Sequence, residues 1–114
     1  MDVSALFIEI VEVYSKHGWQ LRRVLMRPET RLQFDQNKNR GGEQASFVEA
    51  AVDALWFSRP SHSGREAWEL RLLSENPYAL FETFESDETQ EQRDEMLLEM
   101  ENRMREYLTA KRAS

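Results

Sequence analysis

The sequence predicts an α+β fold: a single antiparallel sheet of about four strands, the last three a meander, with the N- and C-terminal helices packed on one face. Three observations carry that expectation. Residues 3–14 set apolar side chains at the three-and-four spacing of one helix face. Residues 19–85 hold runs of strand-like alternation broken by Gly, Pro and Ser. The last quarter is highly charged, with one narrow apolar stripe. At 114 residues the chain suits a single α+β domain over 1–114, with room for one packed core.

In the first helix Val3, Leu6, Phe7, Ile10, Val11 and Tyr14 share a face. Asp2 or Ser4 can cap its start, and Gly18 can supply the left-handed turn that ends it. Trp19 then falls where it can pack back on Tyr14, and His17 reads as a helix-end residue. Trp19–Met26 alternates as a strand, stopped by Pro28, and its arginines suit a sheet edge. The following "PETRLQFD" fits either a helical turn or a short strand. "QNKNRGG", residues 36–42, has no apolar side chain and two adjacent glycines, so a mobile loop is expected there. Phe47, Val48 and Ala51 fit one face of a short helix, and a strand is expected over Asp53–Arg59. Ala67–Glu85 reads as a hairpin with its tip at Glu75 and Asn76. The last helix starts after a cap at Ser86 or Asp87 and runs to about Lys111. It carries a stripe of Leu97, Met100, Met104 and Tyr107, flanked by Met96 and Leu108, and the pairs Glu99–Arg103 and Glu101–Arg105 are spaced for ion pairing. Such a methionine stripe is more often core than an adaptable binding surface.

That hairpin tip sets a register in which Leu70 faces Phe81, Leu72 faces Ala79, and Glu69 faces Glu82. Continued across the preceding loop, it places Phe57 beside Trp68 and Leu55 beside Leu70. One face then holds Leu55, Phe57, Trp68, Leu70, Leu72, Ala79 and Phe81, a core for the two helices. The other mixes Trp56, Leu73, Tyr78, Leu80 and Phe84 with Glu69, Arg71 and Glu82. It is too apolar for water and too charged for a core. These eight residues are the expected interface or ligand-binding set, with aromatic and arginine content typical of interface centres.

The chemistry-bearing motifs are few. Absence of cysteine excludes disulfides, thiolate metal sites and cysteine nucleophiles. Ser61, His62 and Ser63 adjoin one another on a loop, without the convergent geometry of a triad. Gly41-Gly42 lacks the rest of a phosphate loop. Glu69 facing Glu82 is the nearest approach to a catalytic constellation, since paired carboxylates can split their pKa values, but Arg71 offers a plain ion-pair account. No catalytic residue, metal ligand or cofactor is expected.

With 40% hydrophobic and 32% charged residues and a mean hydropathy of -0.71, the composition is globular. The apolar N-terminus lacks a basic flank and is interrupted by Glu9 and Glu12, so it is not read as a signal peptide, and no stretch suits a bilayer. A cytoplasmic location is the expectation. The net charge of -6 argues against nucleic-acid partners, although Lys16–Arg40 is locally basic and Glu75–Glu101 strongly acidic. The reading that follows is a non-enzymatic protein-interaction module: a homodimer formed through the mixed sheet face, with another protein as possible partner. A domain for a small apolar ligand is the alternative, and an enzyme using Glu69 and Glu82 comes third. In layout alone, the chain is similar to small bacterial secretion-chaperone-like domains, which dimerise and bind proteins.

Overall fold

The structure is a computed structural model that describes residues 2–36 and 45–113. Its elements run α1 (Val3–Lys16), β1 (Gln20–Met26), α2 (Pro28–Gln36), β2 (Ser46–Glu49), β3 (Ala54–Pro60), a 3-10 turn (His62–Gly64), β4 (Glu66–Leu72), β5 (Ala79–Phe84) and α3 (Gln90–Ala113). The expected 36–42 loop lies outside the described residues apart from Gln36, which closes α2. The α+β class stands, with helices at both termini. Several finer expectations are corrected.

The sheet has five strands in the order β2-β1-β3-β4-β5 and is mixed: β2 runs parallel to β1, and every other pairing is antiparallel. The extra strand is Ser46–Glu49, read from sequence as part of a helix. Four residues are too few for a period to declare itself, and Phe47 and Val48 in fact point to opposite faces. Because β2 pairs with β1, the first strand is internal rather than an edge, and Val24, Leu25 and Met26 are fully buried. Its arginines are accommodated by a bulge between Leu21 and Arg23, which lets Arg22 donate to Ser58 Oγ at 2.8 Å.

The meander β3-β4-β5 is present, but in a register one residue away from that expected. Trp56 pairs with Leu70, Phe57 with Glu69, Leu70 with Leu80, and Trp68 with Glu82. Both turns hold an odd number of residues. At the first, Ser61 N–H donates to Arg65 O at 2.9 Å, enclosing His62, Ser63 and Gly64, with Ser63 at φ 59° and Gly64 at φ 75°. At the second, Leu72 N–H donates to Tyr78 O, and Leu73 leaves the ladder to donate its own N–H to Asp53 O, both at 2.9 Å. A slip of one residue moves a whole strand's side chains to the other face.

Two consequences follow. The sheet has a core on each side, and the helices cover opposite faces instead of sharing one. Under α1 and α2 lie Val24, Leu55, Phe57 and Leu73, packed by Val3, Phe7 and Ile10 of α1 and Phe34 of α2. Under α3 lie Leu25, Ala54, Trp56, Leu70, Leu72 and Phe84, packed by Leu97, Met100 and Met104. The methionine stripe is core: Met100 and Met104 are at most 1% exposed.

Local signals place the helix ends. Asp2 accepts from Ser4 N–H at 3.0 Å and Ala5 N–H at 3.2 Å, Gly18 has φ 83°, and Trp19 packs edge-on to Tyr14 at 6.1 Å. The start of α3 is corrected to Thr89, whose hydroxyl accepts from Gln92 N–H at 3.1 Å while Gln92 Oε1 accepts from Thr89 N–H at 2.9 Å. Of the two expected ion pairs, Glu99–Arg103 forms at 3.4 Å. Glu101 instead turns inward to accept from Trp56 Nε1 at 2.8 Å, and Arg105 donates to Asn102.

Candidate functional site

The structure disperses the eight residues singled out from the sequence. Trp56 and Phe84 are buried beneath α3, with Leu80 and Tyr78 half-buried beside them; Tyr78 stacks on Tyr107 of α3 at 3.7 Å. Leu73 belongs to the opposite core. The face expected to lie open for a second chain is thus the one α3 covers. Glu69 and Glu82 do not meet: Glu82 pairs with Trp68 on the α3 side, while Glu69 pairs with Phe81 on the α1 side. Glu82 Oε1 accepts from Thr83 N–H on the open edge of β5 at 3.2 Å. Proton sharing between the two carboxylates has no geometric basis.

Glu69 has another partner. It accepts a hydrogen bond from the Tyr14 hydroxyl, whose ring stacks on Phe57 at 4.1 Å. Burial, then the hydrogen bond and charge of Glu69, push the Tyr14 phenol well above its ordinary range. A phenol held neutral in this way is a poor nucleophile and a good tether. Arg71, nearby, gives its guanidinium to the carbonyls of Leu72 and Ser74.

The polar residues that do converge lie at the end of the sheet where the parallel strands β1 and β2 terminate. Arg27 follows β1 directly, and Pro28 opens α2, where its missing N–H costs nothing and its fixed φ suits the first turn. Asp53, just before β3, accepts from Arg27 N–H at 2.9 Å, Arg27 Nε at 3.1 Å, Arg27 Nη2 at 2.8 Å and Thr30 Oγ1 at 2.8 Å. A carboxylate at a helix N-terminus is favoured by the exposed amides and the dipole. Asp53 fills that position itself and holds the Arg27 guanidinium more firmly protonated. Thr30, 4% exposed, closes the network from within α2.

Among the described residues, cavities open at this end of the sheet. One, of about 360 Å³, lies between α2 and the β2 edge and is lined by Met26, Pro28, Arg31, Leu32, Val48 and Glu49. A second, of about 200 Å³, runs between residues 49–52 and α3, reaching Glu101 and Arg105. A third, of about 130 Å³, adjoins Arg27 and Asp53 and is bounded by Leu73, Ser74, Leu108 and Arg112. In open sheets with a parallel pair, the crevice beyond the carboxyl ends, where the chain goes to one side and then to the other, is the usual ligand position. Here β1 is followed by β2 on one side and by β3 on the other. Comparison with known proteins adds no further identification: no family model, no curated protein and no solved structure gives a significant match.

The walls of the 360 Å³ cavity are mostly apolar. Leu32 on α2 is 63% exposed, while Val48 borders the cavity from the β2 edge with its side chain on the face opposite Phe47. Arg31 is fixed by its guanidinium lying over the Phe47 ring at 4.1 Å. Among the described residues no cluster of His, Asp or Glu could hold a metal ion, and no helix is long and apolar enough to cross a membrane. Sequence reasoning missed this site because it rests on a parallel pairing and on a contact between residues 27 and 53. Pro28 after an apolar strand was its one local sign.

Proposed function

We propose that this chain is a non-enzymatic binding domain for a small, largely apolar molecule, held in the groove between α2 and β2. The observation that carries the reading is the 360 Å³ cavity at the carboxyl end of the parallel pair, floored by buried Met26, walled by the exposed Leu32 and bordered by the β2 edge at Val48 and Glu49. Its volume falls at the low end of the range of small-molecule sites, roughly 300–1,000 Å³. The Arg27–Asp53–Thr30 network supplies a rigid base, since it ties the start of α2 to the strand end beneath it. The test is a titration with 2-phenylethanol followed by amide chemical shifts. Shifts confined to residues 26–32 and 48–50, abolished by Leu32→Asp, support the reading. Absence of shifts at millimolar probe, or shifts spread over the whole surface, would overturn it. Leu32 is exposed, so that substitution leaves the fold intact.

A second reading, association of two copies, draws on a different observation. Phe81 on the edge strand β5 is 58% exposed, edge-on to Trp19, which is itself capped by Arg59 at 4.7 Å. An aromatic and arginine patch beside an unpaired strand edge suits pairing of β5 with its copy across a two-fold axis. Light scattering at high micromolar concentration decides: a dimer that Phe81→Asp converts to a folded monomer supports the reading, and a monomeric parent protein removes it.

A further inference from the structure

On the face of the sheet that α3 covers, the bulge in β1 builds a second polar constellation. Between Leu21 and Arg23 the extra residue, Arg22, has no cross-strand partner on β3, which interrupts the alternation of faces. Leu21 packs toward the α1 core, whereas Arg22 and Arg23 both turn to the α3 face: Arg22 Nε donates to Ser58 Oγ at 2.8 Å, and Arg23 lies beside Trp56 and Glu101. We infer that this pair of guanidinium groups binds the phosphate group of a small molecule, at a site separate from the groove between α2 and β2.

Three observations carry the inference. First, both cations are under-used. The terminal nitrogens of Arg22 make no bond within the chain, and no carboxylate of the described residues pairs with it. Arg23 reaches only Glu101 Oε2, at 3.9 Å, and that oxygen already accepts from Trp56 Nε1 at 2.8 Å. Asp94, two turns before Glu101 on α3, accepts from Gln90 and pairs with neither arginine. In a chain of net charge -6, two like charges are thus held side by side, a repulsion that an anion from outside relieves. Second, the pair is positioned. Ser58 is 1% exposed and anchors Arg22 through Nε, leaving the Nη1 and Nη2 edge for a ligand. Third, the donors select the anion. One guanidinium fork satisfies a carboxylate, whereas two forks and two positive charges match the three terminal oxygens and nearly two negative charges of a phosphate group. Trp68, the cross-strand partner of Ser58, is half-buried on the same face and offers an apolar neighbour to the organic part of a monoester.

The test titrates inorganic phosphate, phenyl phosphate and acetate into the intact chain at constant ionic strength, followed by amide shifts. Phosphate should give saturable shifts at residues 20–23 and 56–58, with acetate about tenfold weaker or more. Arg22→Gln and Arg23→Gln should each weaken phosphate binding about tenfold, a charge-assisted contact being worth roughly that factor. Arg22→Lys keeps the charge but loses the fork and its anchor on Ser58, and should recover only part of that loss. Arg22 is exposed and the Arg23 side chain is 37% exposed, so these variants keep the fold. Tighter binding of phenyl phosphate than of phosphate assigns the site to a monoester, and equal binding assigns it to the free ion. Acetate binding as tightly as phosphate, shifts of equal size at the exposed Arg59 and Arg65, or undiminished binding by Arg22→Gln would overturn the inference.

Discussion

Replacing Asp53 with alanine strikes the node that joins α2, β1 and β3, and its cost can be worked from the contacts. Four hydrogen bonds disappear, three from Arg27 and one from Thr30. The Arg27 side chain is 37% exposed, so water can resolvate the freed guanidinium, and the ion pair itself contributes no more than about 1 kcal/mol. The Arg27 backbone N–H loses its acceptor, worth about 1 kcal/mol. Thr30 is only 4% exposed and its hydroxyl donor is left without an acceptor, costing a further 1 kcal/mol or more. The expected loss is about 3 kcal/mol, a substantial part of the roughly 5–15 kcal/mol that holds a small domain together. Thermal unfolding followed by circular dichroism should show a drop in Tm on the order of 10 °C. Combining Asp53→Ala with Thr30→Val should recover part of it, because the buried hydroxyl is then gone. A melting point within about 2 °C of the parent, or strict additivity of the two changes, would refute the view of Asp53 as a structural node.

Two other outcomes are expected. Tyr14 titrates above its ordinary range in the folded chain, so folding favours its protonated form; that stabilisation is complete below the unfolded value of about 10 and is lost as pH rises through the folded value. Urea midpoints should therefore fall above about pH 10 more steeply for the parent than for Tyr14→Phe. Met104 is fully buried under the sheet, and Met104→Ala should lose about 2–5 kcal/mol with little change in denaturant m-value.

The parts of the fold legible in the sequence are those governed by neighbours in the chain. The first helix, with Asp2 as its cap and Gly18 at its end, needs only local rules, and so does the stripe from Leu97 to Met104. The hairpin register depended on turn length, and the sequence cues misled there. Ser63 takes a positive φ that serine seldom adopts, and Leu73 abandons the ladder because Asp53 O offers an acceptor and the α1 core offers it cover. One residue of slip then exchanged Trp56 and Phe84 for Phe81, placed Glu69 and Glu82 on opposite faces, and required a helix on each side of the sheet. The candidate site was less legible still. A parallel pairing between β1 and β2 leaves no periodic signature in a four-residue strand, and Asp53 finds Arg27 only after the sheet has assembled.

The placement of the tryptophans on separate faces makes the molecule its own spectroscopic reporter. Trp56 and Trp68 sit 5.9 Å apart under α3, with Trp56 donating to Glu101, whereas Trp19 lies at the end of α1 beside Phe81 and Arg59. Emission from single-tryptophan variants would therefore follow the two sides of the sheet separately. The loosening of one helix could be timed against the other without any attached dye.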